Sequence, residues 1–256
     1  MDLSSLLGPI IALGMIIAGM VAKHATDLIP QIAVNPPSVF IVIGGTFGAL
    51  LVAYPLNDFI GAFKAIGLWL KAPEANRKEI MEQIVDLANV ARKESILALE
   101  KKRDGITFTP LANAVKMAVD GTDPHVLTET LETQAQFEFE EGEVFVKFWE
   151  DFGAIAPTVG ILGAVIGLMK VMNVLDQPEL IGPGISVAFV ATLYGVGFAN
   201  IWGIPVGKKI KRKLALKNYA YEMVIIGIEG ILTGLNPKVI EEKLKVFAAE
   251  GSDEEG

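Results

Sequence analysis

The sequence predicts an all-α membrane protein with four transmembrane helices and a large cytoplasmic helical domain between the second and third. Three observations predict it. Apolar residues make up 52% of the 256 and charged residues 20%, at a mean hydropathy of +0.46; soluble domains of this size are usually more charged. Four apolar runs each approach the roughly 20 residues that a bilayer-spanning helix needs. The charge falls between the runs: of 22 Lys and Arg, all but Lys23 and Lys170 lie in residues 57–151 or after residue 206.

The first run, Leu3–Ala22, is interrupted only by small or hydroxyl residues. Its start, MDLSSLLG, has no basic stretch, so it reads as a retained span and not a cleaved signal. Lys23 to Pro37 is a short polar connection with Pro30, Pro36 and Pro37. Ser38–Leu56 is the second run and holds Gly44-Gly45-Thr46 and Gly48, as expected where helices pack closely in lipid. The third and fourth runs, Ala154–Val174 and Gly182–Val206, lie close together and precede a basic cluster, Lys208, Lys209, Lys211, Arg212 and Lys213.

Basic residues orient the spans. Lys64, Lys71, Arg77 and Lys78 follow the second run, the basic cluster follows the fourth, and the other two connections carry at most one Lys each. The positive-inside rule then puts residues 57–151 and both termini in the cytoplasm. The chain divides into 1–56 (spans 1 and 2), 57–151 (cytoplasmic helical domain), 152–206 (spans 3 and 4) and 207–256 (cytoplasmic helices and an acidic tail).

The insert is helical in pattern. Pro73, with Glu74 and Glu79, suits a helix start, and Ile80, Ile84, Leu87 and Ala91 recur at helical spacing. Ser95 leaves open whether Glu74–Arg103 is one helix or two, and Gly105 ends it. Thr107–Val119 is a second amphipathic piece, Gly121-Thr122-Asp123-Pro124 a turn, and Val126–Glu150 a third helix. Beyond the last span, Lys208–Leu232 continues as a helix stopped by Gly234. Asn236-Pro237 reads as an N-cap and first helical position, opening a short helix to Ala249. The final EGSDEEG is too charged and glycine-rich to pack.

The chemistry is informative mainly by what it lacks. The chain has no cysteine and two histidines, His24 and His125, so thiol catalysis and a zinc site are not expected. A net charge of −8 argues against nucleic acid as a partner. No nucleophile with a base, phosphate loop, cofactor motif or metal cluster is present, so the chain does not read as an enzyme. Outside the two cytoplasmic segments the acidic residues are Asp2, Asp27, Asp176 and Glu179, all at span ends. Ion carriers normally place an ionisable group at bilayer depth. Either this chain conducts nothing, as a passive scaffold, or a partner supplies the group.

Small-residue stripes mark the last two spans. Pro157, Gly160, Ala164, Gly167 and Val171 share one face of the third, and Ala188, Thr192, Gly195, Ala199 and Gly203 one face of the fourth. Such stripes suit close helix approach and a ring of copies walled by these helices. Pro157 and Pro205 deprive the carbonyls of Gly153 and Ile201 of their donors. Those carbonyls, with the hydroxyls of Thr158 and Thr192, could ligate a dehydrated cation. Alternatively the glycines only pack, and the hydroxyls bond back to their own helix. Trp69, Trp149 and Trp202 fall near span borders, where aromatic residues anchor.

These motifs together resemble the MotA/PomA subunits of the bacterial flagellar stator, within the wider MotA/TolQ/ExbB superfamily. The likeness runs through MDLSSLLG, PPSVFIVIGGTFG, ARKESILALE, APTVGILGAVIGL, IGPGISVAFVATLYG and NPKVIEEKL, nearly the whole chain. The resemblance implies an inner-membrane homopentameric ring around a MotB/PomB-type partner. That partner carries one transmembrane helix with the missing aspartate and is anchored to peptidoglycan. Ion flow would turn the ring against the rotor protein FliG. By position, Arg92 and Glu100 correspond to the family's torque residues. Pro157 and Pro205 correspond to its functional prolines, and Thr192 to the sodium-type threonine of the fourth span. The sodium-type branch fits better than the proton type, with two departures: Ala164 stands where that branch has a threonine, and Asn35 where it has an entrance carboxylate. The ion-driven ExbB/TolQ energisers of outer-membrane processes are the nearest alternative, though they lack the two N-terminal spans.

Overall fold

A computed structural model describes residues 2–70 and 76–249. Pro73, Glu74 and the tail from Glu250 lie outside them. Among the described residues every regular element is helical. The chain forms two compact units, Met1–Ala72 with Glu143–Lys211, and Pro73–Gly142 with Arg212–Gly256.

Four helices, Leu3–Ala22, Pro36–Ala53, Pro124–Met172 and Pro178–Leu232, are long and apolar enough to cross a membrane. Helix α1, Leu3–Ala22, matches its expected bounds. Its side chains are exposed or half-buried within the chain except Ser5, whose hydroxyl donates to the Trp69 carbonyl at 2.8 Å. The Asp2 amide donates to the Leu70 carbonyl at 3.0 Å, and the Asp2 carboxylate meets Lys209 Nζ at 2.8 Å. These contacts put the start of α1 on the same side as the basic cluster after the fourth span.

The connection after α1 is more ordered than a polar loop. A 3₁₀ turn, Thr26–Leu28, leads into α2, Ile29–Ala33. The Tyr194 hydroxyl donates to the Ile32 carbonyl and ties this segment to the fourth span. The second span is α3, Pro36–Val39, a π turn, Phe40–Gly44, and α4, Gly45–Ala53. Asn35 caps it, its Oδ1 accepting from the Ser38 amide at 3.3 Å and the Ser38 hydroxyl at 2.8 Å.

Two short helices follow, α5, Leu56–Lys64, and α6, Ile66–Leu70. Aromatic rings of α4 and α5 pack on one stretch further along the chain: Phe47 lies 5.4 Å from Phe152, Phe59 5.4 Å from Phe148, and Phe63 5.8 Å from Trp149. The tryptophans near the span borders pack on protein as well. Trp149 is buried and donates to the Ala62 carbonyl at 3.1 Å, and Trp69 is buried against Trp202 at 5.1 Å. Trp202 remains partly exposed within the chain.

In the second unit α7, Arg77–Lys93, begins at Asn76, whose side chain accepts from the Glu79 amide. A 3₁₀ segment, Ile96–Gly105, and α8, Thr109–Val119, follow. Helix α9, Pro124–Met172, then runs 49 residues without a break. The sequence suggested two helices, parted near residue 150 where charge gives way to apolar residues. Side-chain polarity does not interrupt backbone hydrogen bonding, and Gly153 and Pro157 are absorbed inside the helix. Helix α10, Pro178–Phe198, a π turn, Ala199–Gly203, and α11, Ile204–Leu232, likewise form one run, and α12 is Pro237–Ala249. Ile80, Ile84, Leu111, Leu131, Met223 and Ile240 are among the fully buried side chains of this unit's core.

Candidate functional site

The small residues of α9 and α10 meet each other inside one chain. A β-carbon on Gly160 would lie 2.9 Å from the Ala191 carbonyl oxygen and 3.4 Å from the Thr192 Cα. One on Gly167 would lie 2.9 Å from Ala188, and one on Gly195 2.5 Å from the Ala156 carbonyl oxygen and 3.1 Å from the Pro157 Cα. Only glycine allows backbones this close. Much of the stripes' small surface is taken up by the protomer's own α9–α10 contact.

This contact brings Pro157, Thr192 and the glycines between them together. Pro157 sits inside α9, so Gly153 loses its α-helical donor. Gly203 and Ile204, which immediately precede Pro205, pack on Gly153: a β-carbon on Gly203 would meet the Gly153 amide nitrogen at 3.1 Å. The two prolines therefore disturb the backbone at one level. The π turn accommodates the second. The Ile204 amide reaches back five residues to Ala199, widening the helix one turn ahead of Pro205.

Both candidate hydroxyls bond back to their own helices. Thr158 Oγ1 donates to the Ile155 carbonyl at 2.7 Å and Thr192 Oγ1 to the Ala188 carbonyl at 3.3 Å. A hydroxyl has one proton and two lone pairs. Donation into the helix leaves the lone pairs directed outward and able to face a cation. Thr158 is exposed within the chain, Thr192 and Ala164 are half-buried, and Ala164 offers no oxygen ligand from its side chain. Asp27, Asp176 and Glu179 stay at span ends, and Asn35 is occupied as a helix cap.

Arg92 and Glu100 do not share a helix. Helix α7 ends at Lys93, and Ser95 is extended at φ −179° and ψ 169°. Glu100 lies on the 3₁₀ segment, where residues three apart eclipse; it pairs with Arg103 at 2.9 Å. Lys102 braces the segment from Asp86 at 2.9 Å, and Leu99 anchors it in the core. Arg92 is exposed and makes no ion pair among the described residues. Both torque candidates are on the surface. The question left open at Ser95 is answered by a bend between Arg92 and Glu100, because Ser95 and the ten-residue 3₁₀ run reset the direction of the chain.

Comparison with known proteins decides the family. The model described as Motility protein A N-terminal matches residues 6–95, and that described as MotA/TolQ/ExbB proton channel family matches residues 100–223. Motility protein A of Aquifex aeolicus is 33% identical, with 96% of each chain covered. The chain belongs to the motility protein A family. Chemotaxis protein PomA of Vibrio alginolyticus is 30% identical over 98% of this chain and 97% of its own. A chain of the solved C. jejuni MotAB structure superposes with a TM-score of 0.90 at 31% identity, covering 96% of both. Membership in a membrane channel family agrees with the absence of a catalytic constellation in the sequence.

Proposed function

We propose that this chain is the ring-forming subunit of an ion-driven flagellar stator in the bacterial inner membrane. One observation carries the reading: Pro157 of α9 and Thr192 of α10 lie at one tight backbone contact, and neither helix supplies a carboxylate to it. An ion path of this kind is complete only with an acid from elsewhere. A MotB/PomB-type helix with a single aspartate is the partner, by analogy with the MotAB complexes the chain resembles. Five copies of this chain surround it, and the ring turns FliG through Arg92 and Glu100. The match of residues 6–95 to a motility-specific model favours this reading over an ExbB/TolQ-type energiser.

Sodium is the proposed coupling ion. It sheds water only where fixed oxygens replace it, and the outward lone pairs of Thr192, with the carbonyl freed by Pro157, are such oxygens. Both termini lie in the cytoplasm. The Asp2–Lys209 pair puts the N-terminal side with the basic cluster, which the positive-inside rule assigns to that compartment. The test is co-expression with the neighbouring partner gene and purification in mild detergent. Native mass spectrometry should give five copies of this chain with two of the partner. Vesicles holding the complex should lose a sodium gradient once the partner's periplasmic plug is removed. A stable monomer, or tight vesicles, would leave only a passive scaffold.

A further inference from the structure

We propose that Thr46 holds a buried water molecule between the second, third and fourth spans, at a site separate from the Thr192 hydroxyl. Thr46 is completely buried, and its Oγ1 has no protein hydrogen-bond partner. The hydroxyls of Ser5, Ser38, Thr158 and Thr192 in the same unit are all bonded. A buried hydroxyl without a partner is costly, and native proteins satisfy nearly all such groups with protein or ordered water.

The surroundings place the hydroxyl. Ser38, Val42, Thr46 and Leu50 are all wholly buried, at a spacing of four. Four residues advance an α-helix by about 400°, so such a row drifts roughly 40° per step. The wider π turn at Phe40–Gly44 offsets that drift and keeps the row on one face. Ser38 Oγ lies 3.2 Å from the Val187 carbonyl, so the row faces α10. A β-carbon on Gly45 would lie 2.8 Å from Val159, and the Phe47 ring is 5.4 Å from Phe152, so Thr46 is level with residues 152–159 of α9. Thr46 therefore sits inside a three-helix contact.

Partners for a water exist at that level. A threonine inside a helix ordinarily bonds the carbonyl four residues back, here Val42, which lies in the π turn. The Gly45 amide already donates to the Ile41 and Val42 carbonyls. Pro157 leaves the Gly153 carbonyl without its helical donor in the stretch of α9 level with Thr46. A buried water needs two to four polar partners, and Thr46 with that carbonyl supplies two.

The sign of a stability change tests this. If the hydroxyl is simply unsatisfied, Thr46→Val removes a penalty and raises the melting temperature. If it holds a water, the valine strands the other partners, and the melting temperature of the purified assembly falls by about 2–4 °C. Thr46→Ser should then stay nearer the parent. A cryo-EM map of the unmodified complex, fine enough to show other ordered waters, supplies a measurement independent of folding. A peak within hydrogen-bond distance of Thr46 Oγ1 is expected. A valine variant at least as stable as the parent, or no peak at Thr46, would overturn the site. Neither result bears on sodium coupling, which is read from speed and gradient measurements.

Discussion

Gly195 faces the Ala156–Pro157 peptide so closely that a single added carbon would lie 2.5 Å from the Ala156 carbonyl oxygen. The obstacle is backbone on a proline-containing helix, not the tip of a side chain that can swing away. Gly195→Ala should therefore force α9 and α10 apart, at a cost of about 1–3 kcal/mol. The check is thermal unfolding of the purified assembly beside Gly48→Ala. A carbon at Gly48 meets nothing within 4 Å, so that variant should stay close to the parent.

Thr192→Ala should remove one oxygen from the proposed sodium path while leaving the helix intact, because Ala fits the same small face. The expected outcome is a higher sodium concentration for half-maximal motor speed at fixed membrane potential, with an unchanged melting temperature. Thr192→Val, closer in shape, should do the same. Speed independent of sodium in the unmutated protein would instead assign the proton as coupling ion.

The bend at Ser95 changes what charge reversal does. Glu100→Lys would set a cation against Arg103, its present partner at 2.9 Å. Both side chains keep substantial solvent contact, so stability should change by about 1 kcal/mol or less. Combined with Arg92→Glu, the change should impair rotation while ring assembly, measured by native mass spectrometry, stays normal. Unimpaired swimming of the double variant would make both residues ordinary solvated surface.

Helix ends at Gly121 and Gly234 close with the same hydrogen-bond pattern as the end of α1. Ala25 donates to the Met20 carbonyl at 2.9 Å and His24 to Val21 at 3.0 Å. At the first two ends the left-handed residue is glycine; at the third it is His24, at φ 53°. A side chain there is strained. His24→Gly should stabilise the assembly by about 1 kcal/mol, raising the melting temperature by about 2–4 °C.

Asp2 and Lys209 are mostly buried at their 2.8 Å contact, so losing one charge strands the other. Asp2→Asn should weaken the tether by about 1–3 kcal/mol. Hydrogen exchange of the amides in the first turns of α1 should rise, with little change in α7 or α8.

Much of this architecture was legible because hydropathy acts over long windows. The first span and the last helix, Pro237–Ala249, fell where apolar runs, a cap and a proline predicted them. Gly121 and Gly234 stopped their helices because both need a positive φ. The continuity of α9 was not legible, since a helix carries no backbone mark where it leaves lipid. Nor was the object of the small-residue stripes. Glycine spacing says that something comes close, but not whether it belongs to the same chain. The break between Arg92 and Glu100 turned on Ser95, whose sequence permits both a helix and a bend. Thr158 and Thr192 do bond back to their helices, but donating the one proton leaves each hydroxyl its lone pairs, so this geometry does not choose between packing and cation ligation. Thr46 gave no signal, because its burial depends on the π turn that holds its face.

The tether at the head of α1 also has a consequence in time. Lys209 donates to the Ser4 hydroxyl across 205 residues of sequence. A ribosome adding about 5–20 residues per second needs on the order of 10–40 s to make that stretch. Through that interval the first span exists without its clamp, and it buries almost nothing against the rest of the chain. Until then its ties to the chain at this end are the bonds of Ser5 and Asp2 to the Trp69 and Leu70 carbonyls. The arrival of the last span's basic end adds the charged half of the tether, so the beginning of the protein is fully fastened only after all four spans have been made.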